Sequence, residues 1–358
     1  MAFTLPFLNG ASRRKRTQII SVDLGSRTTK AVLLERHGET WKLNRYALLD
    51  APIYEKKISP EQLGDHLHTV VEAMGGTTKY LAAAIGLNDA IVRQLEMPPM
   101  PEEEIRTILK MNHKTYLQQD LPGHYFDCRI LSKRSAGADA KNAGATGSKV
   151  RVLAAAVKQQ QITDFMQAAS IAGLTADALT PSLIGPINAF EQSMSQVFTN
   201  ETVALVEIGF KHSSICILDR GELATTRIVN IGGDHFTTGL SEAKGITYAE
   251  AEGIKIGMPG EVESDLQMYV LPLGREIRAL LDFFEHQQDR PVSQVYISGG
   301  SGRSEMITQM IHSEVLVECK NWNPTAGLQL ALPSHQAAEI EHVAPQLTVA
   351  IGTAFTAY

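Results

Sequence analysis

Residues 22–36 read VDLGSRTTKAVLLER, and 184 residues further on, residues 206–220 read VEIGFKHSSICILDR. Val22 matches Val206, Asp23 matches Glu207 and Gly25 matches Gly209. Thr29 then matches Ser213, Leu34 matches Leu218, and Arg36 matches Arg220. Each copy is an apolar strand, an acid, an apolar residue, a glycine, a short polar turn and a second apolar strand. One such hairpin is a common turn. Two of them half a chain apart predict a duplicated, two-lobed architecture.

A strand–turn–strand with glycine at the bend lets several backbone N–H groups converge on an anion, so each copy suits a phosphate. It is not a Walker A loop, because no helix and no GK[ST] follow the turn. The acid before each turn, Asp23 or Glu207, suits Mg²⁺ held mostly through its water shell. Lys30 can reach phosphate oxygens as a point charge. A third element adds to the pair. Residues 295–303 read VYISGGSGR, an apolar strand entering a glycine-rich turn and then a helix marked by Met306, Ile307, Met310 and Ile311. Glycines there let backbone approach a flat base or a phosphate, and the helix N-terminus favours negative charge. Together the three turns predict a nucleotide cleft.

The rest of the chain fits an α/β protein. Its 358 residues are 44% apolar and 20% charged, with a formal charge of −6, which excludes a globally basic nucleic-acid binder. No apolar run approaches the roughly 18 residues of a spanning helix. Cys128, Cys216 and Cys319 are isolated, which fits a reducing cytosol. Residues 1–22 hold no acid but carry Arg13, Arg14, Lys15 and Arg16 behind an apolar stub, so 1–16 reads as a flexible basic leader able to touch an anionic membrane. Strands are expected at 18–24, 31–36, 41–49, 80–86, 126–132, 150–157, 202–208, 213–219, 222–230, 293–298 and 315–319. Ser59-Pro60-Glu61-Gln62 and Thr247 with Glu250 read as capping boxes. Leu183, Ile187, Phe190, Met194 and Val197 mark one long helix, and Met97–Pro101 a rigid connector. Residues 133–149, rich in Ala, Gly, Ser and Lys, read as a mobile loop. His66 and His68 point to different helix faces and make a poor metal pair.

The order of hairpin, hairpin and SGG turn resembles the actin/Hsp70/sugar-kinase superfamily, and within it the chain resembles the PilM family of type IV pilus assembly, relatives of FtsA, over about residues 17–358. Ala90–Glu104 (with VRQLEMPPMPEEE) resembles the entry to that family's inserted subdomain, and Val150–Leu179 the strand–helix unit closing it. Arg227–Thr237 (RIVNIGGDHFT) and Ala251–Lys255 (AEGIK) resemble second-lobe nucleotide contacts. The ending at Val343–Tyr358 resembles a returning C-terminal helix.

The resemblance implies an actin-like (ribonuclease H-like) fold with four parts after the 1–16 leader. A first lobe takes 17–83, 179–200 and 341–358, and a partner-binding insert takes 84–178. A second-lobe core takes 201–230 and 290–340, with a nucleotide-side subdomain at 231–289. Carried over by residue, the first phosphate loop is Asp23, Gly25, Ser26, Arg27, Thr28, Thr29 and Lys30, and the second is Glu207, Gly209, Lys211, His212 and Ser213. Gly232 and Gly233 line the cleft, Glu252 and Lys255 sit near ribose and base, and Gly299, Gly300, Ser301 and Arg303 hold the adenosine. Asp23 and Glu207 would hold Mg²⁺ through water.

The implied activity is ATP or ADP binding in the cytoplasm, peripheral to the inner membrane. The implied partners are the cytoplasmic tail of a PilN-like membrane protein and other assembly-platform proteins, with self-association also open. Hydrolysis is expected to be slow: Glu207 stands where the superfamily usually has Asp, and Phe210-Lys211-His212 stands where small and hydroxyl residues are commoner. Two rival readings are a small-molecule or sugar kinase and an FtsA-like division filament. The first needs a carboxylate base at the cleft mouth, for which no Asp stands out. The second needs a C-terminal amphipathic membrane helix, which is not seen before Tyr358.

Overall fold

The computed structural model describes residues 16–52, 58–76, 78–132 and 149–358. The expected leader, apart from Arg16, and the expected loop at 133–149, apart from Lys149, lie outside these residues. Arg16 is not part of a loose leader. Its guanidinium grips both carboxylate oxygens of Asp177, at 2.7 and 3.2 Å, and lies 3.7 Å over the Tyr80 ring. A planar fork beside a carboxylate and an aromatic face anchors Arg16 to the first lobe.

The chain opens with β1 (Gln18–Leu24), β2 (Thr28–His37) and β3 (Thr40–Asp50), then α1 (Pro60–Ala73) and β4 (Tyr80–Ile85). The Ser59 box caps α1 as expected, its hydroxyl accepting from Gln62 N while the Gln62 side chain accepts from Ser59 N. Next come β5 (Ala90–Met97), α2 (Glu102–Tyr116), β6 (His124–Ser132) and β7 (Val150–Lys158), followed by α3 (Gln159–Ile171), β8 (Thr175–Pro181), α4 (Ile184–Ser193) and α5 (Ser195–Asn200). The second half repeats the plan: β9 (Thr202–Ile208), β10 (Ser213–Asp219), β11 (Glu222–Val229), α6 (Gly233–Lys244), α7 (Tyr248–Gly257), α8 (Glu263–Gln288), β12 (Gln294–Ser298), α9 (Glu305–Val315) and β13 (Cys319–Asn321). The chain closes with β14 (Gln329–Leu330), α10 (Ser334–Val343) and α11 (Thr348–Ala354).

The sheets carry the duplication. The first is ordered β14-β3-β2-β1-β4-β8 and the second β11-β10-β9-β12-β13. In each, an antiparallel three-strand meander is followed by two strands running parallel to its first member. α11 returns to the first lobe and crosses α4 where Gly352 meets Gly185. A methyl on Gly352 would overlap the Gly185 carbonyl, so only glycine permits that approach.

Several expected elements differ. β5 is not among the expected strands and shares only Met97 with the expected connector, and β8 (TADALTP) has few β-branched residues to announce it. The single long helix over Leu183–Val197 is two, broken at Met194, whose φ/ψ of −128°/40° is not helical. The strand expected at 315–319 begins only at Cys319, because α9 runs through Val315. The insert is also narrower than 84–178. Its three-stranded sheet, β5-β7-β6, and α2 share a core containing Met97, Ile105, Leu109 and Val152. α3 instead buries Ile162, Phe165 and Ala169 in the first-lobe core, and β8 pairs with β4.

Candidate nucleotide cleft

Both glycine turns face one cavity of about 840 Å³ between the lobes. On the first hairpin, antiparallel pairing sets Asp23 directly opposite Lys30, and Lys30 Nζ lies 2.9 Å from Asp23 Oδ2. Gly25 makes this possible: a Cβ there would stand 2.6 Å from Lys30 Nζ and from the Thr28 carbonyl. On the second hairpin Glu207 faces Ser214 in the register, and a Cβ on Gly209 would stand 2.7 Å from the His212 carbonyl. Burial favours loss of charge on Lys30, but Asp23 and, further off, Glu207 outweigh it, so its pKa rises. Glu207 goes the other way. Burial pushes its carboxyl up to about 8, and it accepts a 2.5 Å hydrogen bond from Ser298 on the adjacent strand.

The third wall comes from α6, α7 and the turn after β12. Lys255 is buried, 2.7 Å from Glu252 Oε2 and 2.6 Å from Thr237 Oγ1. Burial lowers the Lys255 pKa despite Glu252, whereas for Glu252 the bonds from Lys255 and Thr237 overcome burial and lower it. α7 starts at the expected capping box of Thr247 and Glu250. Gly233 lies against Ser301, whose Oγ would stand 2.6 Å from any Cβ there.

Most of the residues expected at the site line this cavity: Asp23, Gly25, Ser26, Arg27, Thr28, Lys30, Glu207, Gly209, Lys211, His212, Gly233, Glu252, Lys255, Gly300, Ser301 and Arg303. Four do not. Thr29 and Ser213, which the repeat aligns with each other, lie on the opposite face of their strands, because side chains alternate along a strand. Thr29 is buried and pairs with His66 Nε2 at 2.7 Å, and Ser213 donates to the Ile231 carbonyl at 2.6 Å. Gly232 and Gly299 are packing glycines. A side chain on Gly232 would strike the Gly209 and Phe210 carbonyls, and Gly299, at φ +94°, abuts the Ile208 backbone.

Residues beyond those expected also matter. Ser214 takes the cleft position that the repeat matches to Lys30. Asn88 reaches across the cleft to His212 Nε2 at 2.8 Å. Arg27 crosses it too, donating to Tyr248 OH at 3.3 Å and standing 3.6 Å from Glu252 Oε1. The Ser182 hydroxyl, buried at the cavity wall, has no hydrogen-bond partner among the described residues.

The glycine turns, Lys30, Lys211 and the unpartnered Ser182 hydroxyl form a donor set suited to phosphates. Toward a cation, Asp23 is the ready carboxylate. Glu207 would serve only on losing its proton. No group of three or more His, Cys, Asp and Glu able to hold a metal occurs among the described residues.

A second cavity of about 290 Å³ shares the wall Leu24-Gly25-Ser26, Gly86 and Asp89 with the first. It is mostly apolar, between the first lobe and the base of the insert, with Leu63, Val157, Ile162, Phe165 and Leu179 around it. Among the described residues no helix is long and apolar enough to cross a membrane.

Duplicated sheets around a two-hairpin cleft define an actin-like ATPase fold, and solved structures agree. The chain is similar to a PilM–PilN type IV pilus biogenesis complex at 18% identity, over 96% of this chain and 99% of that one, with a TM-score of 0.79. It is also similar to the ethanolamine utilization protein EutJ from Carboxydothermus hydrogenoformans, at 14% identity, over 96% and 92% of the two chains and with a TM-score of 0.55. MreB5 of Spiroplasma citri, solved with ADP, follows at 10% identity, over 96% of each chain and with a TM-score of 0.52. The family profile of the type IV pilus assembly protein PilM matches residues 21–358. The chain belongs to the PilM family.

Proposed function

We propose that this chain is a nucleotide-gated scaffold of the type IV pilus inner-membrane platform: it binds ATP or ADP with Mg²⁺ between its lobes and holds the cytoplasmic tail of a PilN-like membrane protein. The observation that carries the reading is the pair of glycine turns facing one cavity, one presenting Asp23 and Lys30 and the other Glu207 and Ser214. Lys30 and Lys211 would meet phosphate oxygens, with the turn N–H groups below them. Glu252 and Lys255 would face the ribose and base, and Ser301 and Arg303 the adenosine side. Mg²⁺ held through water near Asp23 would offset phosphate charge. The acids near the turns are already engaged, Asp23 by Lys30 and Glu252 by Lys255, which supports slow hydrolysis.

The second cavity supports the partner reading. Its apolar lining suits side chains of an extended tail, and the wall it shares with the larger cavity supports contact with the proposed nucleotide cleft. Ordering a free tail costs entropy, so an affinity of about 1 µM is expected. The chain would work in the cytoplasm at the inner membrane, with Arg13, Arg14 and Lys15 adding a salt-sensitive attraction to the leaflet. Other platform proteins, or further copies of the chain, would meet the remaining surface. Titration with the N-terminal tail peptide of the adjacent pilus protein tests this reading. Saturable binding weakened at least about tenfold by Phe165→Asp is the expected result. Unaltered binding in that variant, shown to be folded, would remove the groove assignment.

A further inference from the structure

One face of the insert's sheet touches both lobes. Ala90 and Val92 on β5, with Val157 on β7, pack into the first-lobe core. Further along the same face, Gln94 Nε2 donates to the Leu223 carbonyl of β11 at 3.2 Å, and Arg151 Nη2 meets Glu222 Oε2 at 2.5 Å. Glu222 stands on a stiff mount. It follows a two-residue hairpin turn, Arg220 and Gly221, with φ of 47° and 83°, a turn whose twist matches that of its strands.

Arg151 has a second carboxylate within reach. In the β5–β7 register Glu96 lies directly opposite it, at a spacing where opposite charges on one face pair. Yet Glu96 is paired with Lys149, at 3.4 Å, and Arg151 reaches to the other lobe. Two acids compete for one guanidinium, one on its own sheet and one across the gap. Arg151 and Glu222 remain 29% and 26% exposed, so solvent screens the pair and exchange between partners is cheap.

We infer that Arg151 is a two-position clasp joining the nucleotide cleft to the tail groove: on Glu222 when the lobes are closed, on Glu96 when they part. The inference rests on the cleft and groove reading above and adds the side chain that links them. β7 transmits the motion, because Arg151 stands near one end and Val157, in the groove wall, near the other. A paired central strand moves as a stiff rod, so shifting one end tilts the other.

The test measures tail-peptide affinity with and without saturating Mg-ATP. In the unaltered chain nucleotide should tighten the tail at least about fivefold. Arg151→Gln and Glu222→Gln should each cut that ratio below about twofold while nucleotide affinity measured without the tail falls by no more than about fivefold, and the exchanged pair, Arg151→Glu with Glu222→Arg, should restore the ratio. Glu96→Gln, which removes the partner of the parted state, should tighten the tail in the absence of nucleotide and leave its affinity in saturating Mg-ATP unchanged; an unaltered affinity without nucleotide overturns the Glu96 position. Full coupling in both single variants overturns the clasp, as does an unaltered chain that binds both ligands without coupling. In the protein alone, both single variants should speed amide exchange in β5, β7 and the start of β11, and the exchanged pair should slow it again. Unchanged exchange overturns the clasp whether or not tail or nucleotide binds. Failure of either ligand to bind counts instead against the reading beneath it.

Discussion

Asp23 and Lys30 hold each other across the first hairpin, and each has a measurable consequence. Lys30 is largely buried, so its charge depends on Asp23. Lys30→Ala removes a charged hydrogen-bond donor worth about 1.5–3 kcal/mol, and should weaken Mg-ATP about 10- to 100-fold by calorimetry. Asp23→Ala should weaken metal-dependent binding more than Thr40→Ala, a change outside the cleft; equal affinities would deny Asp23 a role. Glu207 makes a separate prediction. Its folded pKa, about 8, is raised above the ordinary carboxylate value, so the folded state keeps a proton that the unfolded state gives up. The resulting stability is full below the ordinary carboxylate pKa and is lost as pH rises through the folded value. In protein freed of metal by chelation, Glu207→Gln should flatten the fall of Tm between about pH 5 and pH 9 and be the more stable form at the alkaline end. Parallel Tm curves would show that Glu207 is not held neutral. Acid, glycine and lysine were legible in the sequence because spacing alone places them. Thr29 and Ser213 were misplaced because one-residue alternation decides which side of a strand meets the cleft, and the repeat aligns two residues that both face away.

The crossing of α4 and α11 rests on the absence of two side chains. Gly352→Ala drives a methyl into the Gly185 carbonyl, and relief must come from separating the helices. A loss of about 1–3 kcal/mol is expected, read as a lower Tm and urea midpoint; an unchanged midpoint would mean that the contact is loose. This crossing could not be read in advance, since glycine in an apolar helix is ordinarily a weakness rather than a contact. Elements with a strong local signal were legible: the capped helices α1 and α7, and the alternating strands of both hairpins. β5 was hidden because Arg93, Gln94 and Glu96 break its apolar alternation and Pro98 and Pro99 follow directly. The break at Met194 was hidden because its apolar spacing continues a helical stripe even though the backbone does not.

Across the whole molecule, the repeat in the sequence becomes two sheets of matching order, and their shared cleft is the centre of the account. What spacing could not supply are the contacts that close it: Arg27 to Tyr248 and Glu252, Asn88 to His212, and Arg151 to Glu222. Each joins residues between 71 and 225 positions apart in a chain where no periodicity marks the partners. The insert's true limits were hidden for a related reason, since α3 follows β7 without a break yet packs on the other core. The account stands or falls on whether the cleft takes an adenine nucleotide. Calorimetric titration of the purified chain, stripped of nucleotide, with ATP and with ADP in the presence of Mg²⁺ tests this most directly. The account predicts one site per chain with Kd of about 10 µM or tighter, weakened in Lys30→Ala. No heat from either nucleotide at about 1 mM, with Mg²⁺ present and the chain folded, would contradict it.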